Sequence, residues 1–124
     1  MKTIINWFII PSINFERAVR FYSVIFNMQL HIMKDPWWED FAMFTDPEDM
    51  ETVSWAIWSW TDRKPSRDWV AIFLNTDWKL DEVLSRVEKA WWKVFMKKTE
   101  IWEWWHMAII HDTEWNSIGL HSNK

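Results

Sequence analysis

Four histidines, His31, His106, His111 and His121, are the side chains of this chain with the most versatile polar chemistry. An imidazole can serve as a general base, a hydrogen-bonding group or a metal ligand. Cysteine is absent, which excludes disulfides, thiol catalysis and thiolate metal sites and leaves the redox compartment open. No HExxH, Gly-x-Ser-x-Gly or phosphate-loop pattern occurs. Glu100 and Glu103 are spaced as in a solvated loop, not as a catalytic carboxylate pair. His121 follows Gly119 by two residues, so on a strand the two share a face. Its functional reading is a substrate hydrogen-bonding group or general base. Its plainer reading is a surface histidine on a frayed last strand. His106 follows Glu103-Trp104-Trp105, which reads as a loop before a strand, a place from which it can rim a cavity. His111 abuts a turn and His31 sits on an early strand, and both read as structural or exposed. No catalytic residue is assigned.

The elements that must position these groups follow from periodicity. Thr3–Ile10 is a short apolar run closed by Pro11, which predicts a buried strand. Asn14 can cap a helix in which Phe15, Ala18, Val19, Tyr22, Ile25 and Phe26 recur at helical spacing, with Glu16 in its first turn. Gln29–Met33, Asp40–Phe44 and Val53–Ser59 read as strands, and Thr61–Arg67 as a linker. The second half repeats the order: a strand Trp69–Asn75, a helix Leu80–Ala90, then strands Val94–Met96, Met107–His111 and Ser117–His121. A shift of 65 residues pairs Phe8 with Phe73, Phe15 with Leu80, Tyr22 with Val87 and Leu30 with Phe95. Two βαβββ units of about 60 residues are the economical reading, each too small to bury its sheet alone.

Composition bounds the rest. With 14 Lys and Arg against 18 Asp and Glu, the chain carries a net charge of −4 and no basic stripe, so nucleic acid is not expected as a partner. No apolar run approaches the roughly 18 residues a membrane helix needs, and the N-terminus has no small-residue cleavage site, so a cytoplasmic protein is expected. The anomaly is tryptophan. There are 14 of them and one glycine, Gly119, in 124 residues, where average glycine usage is about 7%. Thirteen of the fourteen read as occupying positions that ask for glycine. Trp91-Trp92 fall at a helix-to-strand junction, where a left-handed residue is usual. Trp115 takes the fourth position of the turn Asp112–Asn116, and Trp37-Trp38 and Trp104-Trp105 read as loop. Trp7 alone reads as an ordinary strand aromatic. Most of the tryptophans are therefore read as stand-ins for glycine, through a UGA codon that means glycine or a deliberate Gly→Trp change.

These segments resemble the vicinal oxygen chelate superfamily of glyoxalase I, bleomycin and fosfomycin resistance proteins and extradiol dioxygenases. Asn6-Trp7-Phe8-Ile9-Ile10-Pro11, Phe15-Glu16-Arg17-Ala18 and Phe21-Tyr22 are similar to its first strand and helix. Arg86–Val94 is similar to its second helix and the strand that follows, and Asp112–Leu120 to its last turn and strand. The resemblance covers essentially the whole chain and implies an α+β fold. One domain, 1–124, is built from modules 1–63 and 66–124, whose tandem βαβββ units form a cupped, eight-stranded mixed sheet with two main helices on its convex side. A homodimer is expected. The superfamily's metal-ligand positions fall on Trp7, near Ala71 or Ile72, within Val53–Ile57, and on Gly119, and none carries a ligand. The expectation is a glyoxalase- or bleomycin-resistance-like protein that binds an unidentified small molecule without metal or other cofactor. Trp7, Ile9, Ile72 and Leu74 would line the cup, with Asn75, His106 and His121 as polar groups. The alternatives are an enzyme related to lactoylglutathione lyase with a rearranged site, and an aromatic carbohydrate-binding module.

Overall fold

The computed structural model describes residues 7–34, 40–46, 48, 54–59, 64–68, 70–77, 79–90, 92–102 and 105–122. Trp37-Trp38, Trp91, Glu103, Trp104 and residues 61–63 of the expected linker lie outside the described residues. In chain order the elements are β1 Trp7–Pro11, α1 Phe15–Phe26, β2 His31–Met33, β3 Phe41–Met43, β4 Ser54–Trp58, β5 Phe73–Asn75, α2 Leu80–Lys89, β6 Val94–Trp102, β7 Trp105–His111 and β8 Ser117–Ser122.

The eight strands form two four-stranded mixed sheets of the same design. Their orders are β1-β4-β3-β2 and β5-β8-β7-β6. In each, the first and last strands of the module run parallel and the remaining pairs antiparallel. Helix α1 starts where Asn14 Oδ1 accepts from the Arg17 N–H at 3.0 Å, and ends where Asn27 turns left-handed at φ 50°. Helix α2 has acids in its first turn and Arg86 and Lys89 in its last, complementing the dipole in place of a side-chain cap. The Arg86 Nη1 donates to the Ile25 carbonyl at 3.2 Å, tying α2 to the end of α1. Apolar faces of both helices enter one core, in which Ile10, Tyr22 and Ile57 of the first module join Val87, Ile110 and Leu120 of the second. The halves thus bury together what neither could bury alone.

The repeat is not uniform. The helices begin 65 residues apart, at Phe15 and Leu80. In β1 the core-facing residues are Phe8 and Ile10, whereas Ile72 and Leu74 pack on the core at β5. The offset between these two strands is therefore even, one residue away from 65. A one-residue slip moves every side chain to the opposite face. Phe73, expected to match Phe8, instead stands on the open face, 45% exposed.

The turn after β7 does more than reverse the chain. Trp115 adopts φ 69°, the left-handed conformation its position called for. The Asp112 carboxylate is fully buried and accepts from the backbone N–H groups of Glu114 and Asn116, from Asn116 Nδ2 and from Tyr22 Oη, the last at 2.7 Å. Glu114, also fully buried, reaches back to the start of α1. It accepts from the N–H groups of Ile13 and Asn14 at 2.7 and 2.6 Å and from Arg17 Nε at 2.8 Å. Asn116 Nδ2 donates to the Pro11 carbonyl at 2.8 Å. The second module's hairpin is thereby bonded to the strand-to-helix junction of the first.

Four of the expected glycine-like sites are strand positions. Trp55, Trp58, Trp102 and Trp105 lie on strands, and Trp105 is the first residue of β7 rather than loop. Trp55 packs among Phe8, Tyr22, Phe26 and Phe44 as a core aromatic. Among the described residues, Trp115 is the tryptophan with positive φ, alongside Asn27 and Asp77.

Candidate functional site

The helices cover one face of each sheet, and the opposite face of the second sheet carries a cavity of about 330 Å³. Its described lining is Phe73 and Asn75 from β5, Trp105 and Met107 from β7, and His121 from β8. Three strands deliver these groups by alternation. Asn75 lies beside His121 in the parallel β5–β8 pair, and Met107 lies opposite His121 in the antiparallel β7–β8 pair. The Trp105 ring meets the His121 imidazole edge-on, centroids 5.0 Å apart and planes at 76°. His121 Nε2 is buried and has no hydrogen-bond partner among the described residues. The Asn75 Oδ1 is already engaged, accepting from the Asp77 N–H at 2.8 Å in a turn that fixes the side chain. The cavity walls are otherwise rings and a thioether. A small ligand with an apolar body and one group that bonds His121 suits such a site.

The residues expected at the site divide between two faces. His121 and Asn75 come together as anticipated. Leu74 is buried in the core, and Ile72 packs against it, so neither lines the cavity. The even offset between β1 and β5 is the reason. His106 is on β7, opposite Ser122, and alternation turns it away from Met107 and the cavity. Its Nδ1 is buried on that other face without a partner among the described residues. Trp7, 43% exposed, and Ile9 alternate with the core residues Phe8 and Ile10, on the open face of the first sheet and outside the described lining. Phe73, Trp105 and Met107 were missed. Counting by two from His121 and its hairpin partner would have found Met107 and Trp105, while Phe73 was hidden by the offset.

The superfamily's metal does not fit these residues. Corresponding register pairs place Trp7 beside Ser54 in the first sheet and Phe73 beside Gly119 in the second. None of the four offers an imidazole or carboxylate. Ser54 Oγ is taken by Thr45 Oγ1 at 2.6 Å. A Cβ added at Gly119 would run into the Phe73 ring, so position 119 has no room for a carboxylate while that ring is there. Among the described residues no three His, Asp or Glu side chains gather to hold an ion.

Comparison with known proteins gives the same architecture. No protein-family model matches the sequence, and no curated protein matches it. Solved structures match nearly end to end. A fosfomycin resistance protein, FosX, from Listeria monocytogenes, complexed with Mn(II) and sulfate, superposes with TM-score 0.69 at 12% identity, covering 100% of this chain and 93% of that one. A glyoxalase/bleomycin resistance protein from a Streptomyces species gives 0.64 at 20% identity, with 94% and 97% covered. Lactoylglutathione lyase from Agrobacterium tumefaciens gives 0.64 at 16% identity, with 98% and 93% covered. The chain therefore has the vicinal oxygen chelate fold, an α+β arrangement of paired βαβββ modules. No helix among the described residues is long and apolar enough to cross a membrane.

Proposed function

We propose that this protein binds a small, largely apolar molecule in the cavity beside His121, without a metal such as the Mn(II) in the FosX complex. The carrying observation is the buried, unpartnered Nε2 of His121 in a cavity otherwise walled by Phe73, Trp105 and Met107. A buried polar atom without a partner is costly, and a ligand that supplies the missing hydrogen bond recovers that cost. Phe73 lying across Gly119 supports the metal-free part of the reading. Binding or sequestration, as in the bleomycin-resistance type of protein, accounts for these features with no added group. The carbohydrate-module alternative has no support in the described tryptophan pairs. Trp7–Trp58 and Trp92–Trp115 meet at 40° and 82° and offer no coplanar platform. We further propose a cytoplasmic homodimer, with the apolar open face of the first sheet, including the exposed Trp7 and Met33, as the surface a second copy would cover.

Phenol, a neutral ring with one hydroxyl, is a direct probe. Titrated into isotope-labelled protein, it should shift the amide signals of Asn75, Met107 and His121 saturably. Benzene, lacking the hydroxyl, should bind more weakly. Equal binding of the two would remove His121 from the account. Stoichiometric zinc, nickel, manganese or iron on two or more protein ligands in the purified protein would overturn the metal-free reading.

A further inference from the structure

The open face of the second sheet carries a second cavity, of about 550 Å³, at the far end of the same strands. Among the described residues it is lined by Arg67, Asp68, Phe95, His111, Trp115 and Ser117, with Pro65 and Ser66 completing the wall. His111 and Ser117 are paired across β7 and β8. They lie four residues along each strand from Met107 and His121, about 13 Å at the rise of a strand. Between the two cavities stands the pair Ile109 and Gly119. The first cavity is walled by rings and a thioether. The second mixes ring faces with a guanidinium, an imidazole, a carboxylate and hydroxyls.

Its geometry is built rather than incidental. The wall 65–68 is the segment that joins the modules. The Ser66 N–H donates to Asn116 Oδ1 at 3.1 Å, which fastens that segment to the buried turn. The Asp68 N–H donates to Ser66 Oγ at 3.0 Å, closing a short turn with Arg67 at its tip. The His111 imidazole is stacked on Phe95, centroids 4.9 Å apart and planes at 18°, so its ring plane is set. Among the described residues no hydrogen bond engages its imidazole, which lines the cavity. Burial, with Arg67 and Lys93 nearby, pushes the His111 pKa down, so the ring is neutral at physiological pH and can donate or accept. Arg67 has no ion-pair partner among the described residues. Arg67 and Lys93 outweigh Asp68, which leaves the cavity biased toward a single negative charge. A dianion such as a phosphate would face the Asp68 carboxylate with too little opposing charge.

We infer that this cavity is a second binding site, for a planar aromatic monocarboxylate held by the Arg67 fork and the His111 imidazole with its ring against Phe95 and Trp115. Guanidinium and carboxylate match as a planar, two-point pair, and the aromatic faces accept a flat ring. The site is independent of the cavity beside His121.

Benzoate tests it, with benzamide as the uncharged counterpart. Benzoate titrated into isotope-labelled protein should shift the amide signals of Arg67, Phe95, His111 and Ser117 saturably, and benzamide should bind at least about tenfold more weakly. Arg67 is exposed, so Arg67→Ala should leave the fold intact. It should weaken benzoate about 10- to 100-fold, the range expected when a hydrogen bond to a charged group is lost. Arg67→Lys, which keeps the charge and loses the fork, should fall between. The inference is overturned if benzoate fails to saturate these signals. It is equally overturned if the shifts are confined to Asn75, Met107 and His121, or if Arg67→Ala binds benzoate as the parent does. Failure of phenol binding at His121 with benzoate binding intact would leave this site standing and remove the other.

Discussion

Two places on the second module treat buried polar groups oppositely. At the turn 112–116, Asp112, Glu114 and Asn116 are all fully buried and fully engaged, with donors converging from Tyr22, Arg17 and the backbone at 13–14. At the cavity, His121 Nε2 is buried with no partner among the described residues. A satisfied network rigidifies a fold, whereas a buried group without a partner in the wall of a cavity, as His121 is and His106 is not, can be met by a ligand's hydrogen bond. The comparison separates the residues that hold the modules together from the residue that meets a ligand.

The sharpest way to break the comparison is to empty the first place. Asp112→Ala would strip the acceptor from Tyr22, from Asn116 Nδ2 and from two backbone N–H groups at once. Loss of a buried network of this kind should cost about 3–5 kcal/mol. Chemical denaturation reads it directly. A loss below about 1 kcal/mol would mean that water replaces the carboxylate freely, and the turn would no longer count as the tie between the modules.

Glu114→Gln should cost less, about 1–3 kcal/mol at neutral pH, because the amide keeps one acceptor while the charge is lost. The Arg17 partner is 42% exposed at its side chain, which discounts the pairing itself. The pH profile tells the two acids apart. Burial works to raise the Glu114 pKa, but donors from Arg17, Asn14, Thr113 and Ile13 outweigh it, and the net shift is downward. A lowered carboxyl pKa contributes stability that is present above the unfolded value, about 4.3, and is lost as pH falls through the folded value. Burial raises the Asp112 pKa, only partly offset by bonds from Asn116, Tyr22 and Glu114, so its contribution has the opposite sign. Its charge weighs against the folded state as pH rises above the unfolded aspartate value, about 3.9. Stability measured from pH 6 down to pH 3 should fall in the parent and fall less steeply in Glu114→Gln. An unchanged slope would assign the acid sensitivity elsewhere.

Much of this was legible in the chain itself. Helix boundaries, the module repeat, the turn and the left-handed demand at Trp115 all follow from local signals of capping, periodicity and turn chemistry. Those signals say nothing about which face a strand presents when an element slips by one residue. The β5 strand slipped by that amount, so Leu74 went to the core and Phe73 to the open face. Tryptophan posed the opposite problem. Read locally, Trp55 and Trp105 looked like displaced glycines, but their strand pairing and ring packing are tertiary. The grip of Glu114 on residues 13 and 14, a hundred positions away, has no local signal at all.

Trp115 offers a smaller test on the edge of the satisfied turn. A bulky residue at φ 69° is strained, and Trp115 is half exposed, so its burial returns little. Trp115→Gly should stabilise the chain by about 1 kcal/mol. Trp7→Gly should do the reverse, since it puts glycine in a strand and removes a ring that packs on Trp58. Midpoints moving in the same direction would show that Trp115 contributes packing that outweighs its backbone strain. The same result would remove the case for glycine at that position.

The smallest expected effect on stability belongs to His121, and it sharpens the comparison most. His121→Phe keeps a flat ring against the edge of Trp105 and deletes the unpartnered nitrogen. Replacing a buried polar atom that bonds nothing with an apolar one of similar shape removes a desolvation cost and gives up no hydrogen bond. The unfolding midpoint should therefore stay within the range of about 0.5 kcal/mol typical of neutral changes, or rise slightly. Phenol binding should fall to the level of benzene in the same variant. A residue kept for the fold would show the reverse pattern, with stability lost and ligand affinity unchanged. If His121→Phe is as damaging as Asp112→Ala, then His121 holds the sheet together, and the two places differ only in what their partners are.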